Sequence, residues 1–294
     1  MKKSQSFLRF TKSFLLSFLF LLFFALLIIL WTLSSTPNHQ PIVMQSPSST
    51  VYLPDEDEVL TIFIAGCVTR ASVAEYFYIL RYEKNKINIF PLPSKSVATV
   101  DGKKFNLSKF YDYGGTEMAL SAAENIFEIK IDRYIRVDFN TLSNIVDFFG
   151  GITYNLEHDI IYKDSKNEVD INLEKGYQTL DGRRFAALMR YEDDALDEIV
   201  QINRRTFLLC EFLSKHLNKN ISEETDNILS LLLEMDGNIN DYDIVSRKQG
   251  FQSLLENNLL TVNAIELTGT FQNNGVFEFS SESIVNVKNN FMLY

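Results

Sequence analysis

The sequence predicts an α/β protein: a central mixed sheet with helices on both faces, an αβα sandwich behind one N-terminal transmembrane helix. Three observations carry that reading. Apolar runs of strand length alternate with stretches of helical periodicity from residue 60 onward. A long uncharged apolar run lies near the N-terminus. About 240 residues follow a polar linker, enough for one large domain with a substantial core.

Lys2, Lys3, Arg9 and Lys12 precede the uncharged run Ser13–Trp31, in which Ser17 is the only polar residue after Ser13. Roughly 20 apolar residues cross a bilayer as a helix. A cleaved signal peptide has a shorter apolar core and a small-residue cleavage site. No clear Ala-x-Ala follows here, so the run reads as an uncleaved anchor. All its flanking positive charge is N-terminal, and the next charge is Asp55. The positive-inside rule then puts the N-terminus in the cytoplasm and the rest outside. The expected boundaries are a cytoplasmic tail over 1–12, a transmembrane helix over 13–35, a Ser/Pro/Thr-rich linker over 36–54 and an extracytoplasmic domain over 55–294.

The domain opens with a strand over Leu60–Gly66. Tyr76–Tyr82 and Ile87–Leu92 read as a hairpin around Glu83–Lys86. Lys103–Tyr113 reads as an aromatic-rich loop, after which Gly114-Gly115-Thr116 opens a helix with Ala119, Ala122, Ala123 and Ile126 on one face. Thr116 is the expected N-cap. Tyr134–Phe139 is a strand. Leu142, Ile145, Val146 and Phe149 then mark a helix that Gly150-Gly151 stops, and Ile152–Leu156 returns as a strand. Leu180–Leu188 has helical spacing, with Arg190 where that helix runs out. Longer helices are expected over about Ile199–Leu217, Ile221–Met235 and Tyr242–Leu260. Two short strands around Asn273-Asn274-Gly275 close the chain.

Of 28 Lys and Arg, four precede residue 55, where there is no Asp or Glu. The rest therefore holds 24 basic against 38 acidic residues, a net charge of −14. Such a surface argues against nucleic acid as a partner. Against that background, five of the ten arginines beyond the anchor fall between Arg183 and Arg205. A cluster of planar bidentate donors is suited to a phosphate. Weak surface pairs with Glu192, Asp193 and Asp194 are the alternative. Cys67 and Cys210 make no disulfide framework, although one bridge between them stays open. His39, His158 and His216 are scattered, so neither a zinc site nor a Ser-His-Asp triad has support.

Several ordered motifs carry a family resemblance. They are Lys104-Phe-Asn106 with Tyr111-Asp-Tyr-Gly-Gly115, Ile131-Asp-Arg-Tyr-Ile-Arg-Val-Asp-Phe139 with Ile145-Val-Asp-Phe-Phe-Gly-Gly151, and Leu173-Glu-Lys-Gly-Tyr-Gln-Thr-Leu-Asp-Gly182 running on to Ala187-Leu-Met-Arg190. Together with Leu267-Thr-Gly269 and the single anchor, they make the chain resemble the LytR-CpsA-Psr (LCP) family, also described as cell envelope-related transcriptional attenuator domain proteins of Gram-positive bacteria. The resemblance covers roughly residues 60–280. It implies an αβα fold with a deep apolar pocket for a polyprenyl chain. It further implies transfer of an anionic glycopolymer from a polyprenyl-pyrophosphate carrier to peptidoglycan. In that family arginines grip the pyrophosphate, and paired aspartates hold magnesium and serve the acceptor hydroxyl.

The chain departs from the family at those positions. The family's Gly-x-Asp-x-Arg is here Gly66-Cys-Val-Thr-Arg70, with Val68 replacing the aspartate. Glu75 is the nearest carboxylate to the second one. The family's Ile-Pro-Arg-Asp is Leu92-Pro-Ser-Lys95. Its Arg-x-Arg is Arg190-Tyr-Glu192, and its Arg-x-x-Arg-Gln becomes Gln201-Ile-Asn-Arg204-Arg205. The expected site is therefore Arg190 and Arg204 as the reacting-phosphate arginines, Arg70 and Arg205 as further carrier-binding arginines, and Glu75, with Asp197 as a second candidate, for a metal or acceptor. A valine cannot ligate magnesium, so weak or absent magnesium dependence is expected. Two functions follow: a phosphotransferase with a degenerate catalytic site, or a non-catalytic scaffold or regulator that binds the lipid-linked precursor or a protein.

Overall fold

Alternate side chains of the first strand serve two different cores. The computed structural model describes residues 59–69, 74–164 and 169–291. In β1 (Leu60–Cys67), Phe63, Ala65 and Cys67 enter one apolar cluster, while Leu60, Ile62 and Ile64 face the other way. This is the period-2 pleat expressed as a layer assignment. β2 (Ala74–Glu83) and β3 (Lys86–Leu92) pair with it in an antiparallel meander. β4 (Val97–Val100) and β5 (Lys103–Asn106) form a small hairpin, followed by α1 (Leu107–Phe127), β6 (Arg133–Asp138) and α2 (Phe139–Phe148). β7 (Ile152–Leu156), β8 (Ile160–Asp164), β9 (Val169–Leu173) and β10 (Gly176–Leu180) build two further two-stranded sheets. α3 (Gly182–Arg190) and α4 (Glu198–His216) come next, then α5 (Thr225–Glu234), β11 (Asp236–Gly237) and α6 (Asp241–Glu256). The chain ends through β12 (Thr261–Ala264), β13 (Gly269–Phe271), β14 (Phe277–Phe279) and α7 (Ser281–Phe291).

The central sheet has the order β11-β6-β1-β2-β3-β12. β1 with β6 and β3 with β12 are parallel; the other neighbours are antiparallel. The expected mixed sheet with helices on both faces is therefore present. α1 and α7 cover one face through Phe110, Ala122, Phe127, Val287 and Phe291. α4, α5 and α6 cover the other through Cys210, Leu229, Phe251 and Leu254.

Several boundaries differ from expectation. Lys103–Tyr113 is not a loop: it forms β5 and the first two turns of α1, whose N-cap is Asn106, accepting from the Lys109 N–H at 2.9 Å. Gly114 and Gly115 interrupt that helix rather than opening it. Gly115 has φ +68, a conformation that a Cβ would strain. The helix expected over Ile221–Met235 begins as a 3-10 turn over Lys219–Glu224. The one expected over Tyr242–Leu260 ends at Glu256, after which the chain joins the sheet as β12. The strands β4 and β8–β12 and the helix α7 had no expectation. Cys67 and Cys210 are both free and lie in different cores, so no bridge joins them. The membrane run Ser13–Trp31, the linker, Arg70 and residues 165–168 lie outside the described residues. Among those described, no helix is long and apolar enough to cross a membrane.

Candidate functional site

The two faces of the sheet are filled differently. On the side of α4–α6, the sheet and the helices enclose an apolar cavity of about 280 Å³. Ile145 of α2 and Leu209 of α4 line it. Its sheet wall is a regular ladder. Leu60, Ile62, Ile64 and Gly66 of β1 stand opposite Tyr82, Leu80, Tyr78 and Tyr76 of β2. The cavity thus runs along the strand pair and has two distinct ends.

One end lies at the carboxyl ends of β1 and β6, where Gly66, Tyr76, Asp138 and Phe139 meet. Arginines gather there, and the local fold explains why. α3 starts at Gly182, capped by Asp181, and its Gly182 N–H donates to the Asp147 carboxylate of α2 at 2.7 Å. A Cβ on Gly182 would lie 1.9 Å from the Ser143 carbonyl oxygen, so only glycine lets α3 approach α2 this closely. That contact sets the far end of α3 against the start of α2. The Arg190 guanidinium consequently stands 5.0 Å from the Phe139 ring centre. Phe139 meets Tyr76 edge-on at 5.8 Å, and the Arg205 guanidinium stands 5.2 Å from the Tyr76 ring. Two cations therefore flank a pair of cavity-lining aromatic rings, each in cation–π range.

Arg205 is the more constrained of the two. It is 6% exposed, and its Nε has no hydrogen-bond partner among the described residues. Its Nη2 makes only long contacts of 3.4 Å, to the Tyr191 carbonyl and to Glu192, which is itself 67% exposed. A buried guanidinium so weakly matched is a place for an anion. Burial pushes the Tyr76 phenol up to about 12, with Arg205 partly offsetting it, so Tyr76 stays a neutral donor beside the arginines. Arg204, expected at the centre, is directed elsewhere. It donates to the Tyr191 carbonyl at 2.9 Å and stands 5.1 Å from the Tyr191 ring. Burial, and then neighbouring Arg205, lower its pKa. It backs the cluster, and the geometry gives Arg205 the position expected for Arg204. The signal was available: Arg205 is in register with Leu208, Leu209 and Phe212 at i+3, i+4 and i+7.

The remaining expected positions are placed as follows. Arg183 and Arg184 are exposed on the first turn of α3. Lys95, where the resemblance has an aspartate, is held in an exposed pair with Glu198 at 3.1 Å. Asp197 caps α4 by accepting from the Ile199 N–H at 2.8 Å. Glu75 is exposed on β2. Among the described residues, no three of His, Cys, Asp and Glu stand close enough to share an ion. Val68 stands where the resemblance expects a metal carboxylate, and an apolar side chain offers no oxygen ligand there. One carboxylate was missed. Asp138 lines the cavity at its mouth while Oδ1 caps α2, accepting from the Thr141 N–H at 2.7 Å. The sequence mark is an aspartate ending a strand directly before a helix.

Known proteins are similar to this chain in sequence and in fold. Biofilm regulatory protein A of Streptococcus mutans is 30% identical over 122 residues, which are 40% of this chain and 29% of that protein. The Bacillus subtilis polyisoprenyl-teichoic acid–peptidoglycan teichoic acid transferase TagU is 30% identical over 115 residues, 37% of this chain and 35% of that one. These matches thus span about a third of the relatives' own length. Among solved structures, a protein of Eubacterium siraeum described as a putative transcription regulator superposes with a TM-score of 0.72 at 15% identity, covering 85% of this chain and 98% of that one. The LytR-CPS2A-psr family protein TagT with bound octaprenyl pyrophosphate superposes with a TM-score of 0.56 at 17% identity, covering 80% and 90%. The model of the LytR_cpsA_psr family matches residues 32–292, which take in every described residue, and the chain belongs to that family.

Proposed function

We propose that this chain is a single-pass envelope protein, N-terminus inside, that holds an anionic glycopolymer on its polyprenyl-pyrophosphate carrier outside the membrane. The prenyl chain occupies the apolar cavity, where burial of its surface supplies the affinity. Arg190 and Arg205 at the mouth take the pyrophosphate, their planes fixed by Phe139 and Tyr76. Tyr191, at the turn after α3, ties Arg204 and Arg205 into one unit through its carbonyl. Transfer to peptidoglycan is weakened in this reading, because the hard oxygen ligands that would neutralise charge on the reacting phosphate are replaced. The observation that carries the proposal is one long apolar cavity with two arginines stacked on its rim.

Full transferase activity is the second reading, and Asp138 favours it. A carboxylate on the cavity wall beside the arginines is placed to orient an acceptor hydroxyl. One experiment separates the readings. The full chain is mixed with a lipid-linked teichoic-acid-type polymer and purified peptidoglycan, and both bound lipid and transferred polymer are measured. Retention of the lipid with little transfer supports holding. Transfer that is lost on Asp138→Asn supports the enzyme. No retained lipid removes both.

A further inference from the structure

The far end of the cavity is built quite unlike its mouth. It lies at the amino end of β1, beside Leu60 and Tyr82, about 20 Å from Gly66 at the rise of a β-strand. Here Asp243 and Arg247 of α6 join an otherwise apolar wall. Arg133 of β6, which pairs with Ile62, grips Asp243 from behind with two hydrogen bonds of 2.6 and 3.0 Å. Arg247 donates to the Asp243 carbonyl at 2.9 Å and reaches across to the Val59 carbonyl at 2.7 Å. The Asn240 N–H completes the Asp243 carboxylate at 3.0 Å. Asp243 at its centre is 3% exposed, with Arg247 largely covered and Arg133 closing the cluster from the partly exposed back. Tyr82 and Phe251 meet edge-on at 6.0 Å beside it.

A helix cap needs neither arginine, since the Asn240–Asp243 capping box already satisfies the start of α6. An apolar chain advancing down the cavity meets here a bonded ion cluster strapped to both β1 and β6. Pushing past it would separate buried charges, which is strongly unfavourable. We infer that the Arg133–Asp243–Arg247 cluster is the stop at the tail end of the channel and sets how much prenyl chain lies inside. This rests on reading the cavity as a prenyl-chain site. A carrier of several isoprene units fits extended between mouth and stop. A longer one must fold back within the channel or leave its remainder outside the mouth. The stop is thus a specificity element for chain length, formed by residues that never approach the phosphate.

The test maps where the tail end lies. Prenyl phosphates carrying a diazirine at the terminal isoprene, graded from geranyl to octaprenyl, are photolysed with the full chain in phosphatidylcholine nanodiscs, and labelled peptides are identified by mass spectrometry. In the unmodified chain the label should advance from Ile145 and Leu209 toward Ile244 and Phe251 as the probe lengthens, then stop advancing. Arg247→Ala should let the longest probes label residues outside the cavity, with far-end labelling lowered severalfold. Ile244→Trp, which narrows the channel just before the stop, should halt the label earlier, near Ile62 and Leu80, and checks the idea independently of the ion cluster. If both folded variants give the unmodified map with every probe, the stop is wrong while the lipid reading survives. If no probe labels the cavity lining of the unmodified chain, both fall together.

Discussion

The two faces of one sheet show how this chain divides stability from function. Toward α1 and α7 the strands present Phe63, Phe77 and Phe90, which close with Phe110 and Phe127 into a fully buried layer. Ring contacts run through it: Phe90 to Phe127 at 5.6 Å and Phe127 to Phe279 at 4.9 Å. Toward α4–α6 the same strands present Ile62, Ile64, Tyr78 and Leu80, and there the packing stops short of closure. Apolar walls around a void forfeit dispersion contacts, so such a cavity costs on the order of several kcal/mol. One face therefore sustains the fold, and its surplus tolerates the open space on the other.

The largest effect should come from breaking the closed face. Phe127→Ala should cost about 3–5 kcal/mol, as for a buried ring in a tight layer. Leu209→Ala, on the cavity side, should cost less than half as much, because that side chain already borders empty space. Urea unfolding of the two variants checks this, and equal losses would show that the cavity is not a real void in solution.

Next comes filling the cavity. Leu209→Trp should leave stability within about 1.5 kcal/mol of the unmodified chain, yet lower prenyl-phosphate affinity by more than tenfold. Displacement of a fluorescent prenyl phosphate measures it. Unchanged affinity would place the lipid elsewhere.

The arginines at the mouth sharpen the picture further. Arg205→Ala and Arg190→Ala should each weaken prenyl-phosphate binding by about 1.5–3 kcal/mol, as for a charged hydrogen bond. Arg204→Ala should weaken it less, because Arg204 is turned to Tyr191. The reverse ranking, measured by the same displacement, would restore Arg204 to the centre.

What was legible follows from the same contrast. The layer architecture could be read because β1, β2 and β3 alternate between two buried faces, and Ile145 and Leu209 lie on helical stripes that reach the cavity. α7 could not: Ile284, Val285 and Val287, with three asparagines, are poor helix formers, and burial of Val287 and Phe291 overrides that preference. The kink at Gly114-Gly115 resembled a helix start because glycine marks both. At the site, motif and spacing named Arg190, whose guanidinium stands against the cavity-lining Phe139. The exchange of Arg204 for Arg205 was a matter of the 100° between neighbours on a helix. The stop at Asp243 was invisible, because Arg133 and Val59, which complete it around Asp243 and Arg247, are distant in sequence and meet them only through the sheet.

The smallest effect concerns pH. Burial raises the Asp243 pKa, but the hydrogen bonds from Arg133 and Asn240 outweigh it, and the net value is lowered. The stability this confers is complete above the ordinary carboxylate pKa of about 4 and lost as pH falls through the lower folded value. Acid unfolding of Asp243→Asn should lack that part of the slope, and an unchanged profile would mean that the cluster contributes nothing to the fold.

The central claim is that the arginines and the apolar cavity hold the carrier lipid without a metal. Calorimetric titration of the full chain with a short-chain prenyl phosphate, run with magnesium and again with a chelator, tests it most directly. The account predicts one bound lipid per chain, nearly equal affinity under both conditions, and magnesium binding that becomes measurable only after Val68→Asp. Tight magnesium binding by the unmodified chain, with lipid affinity abolished by the chelator, would contradict it and show that other carboxylates complete a working metal site.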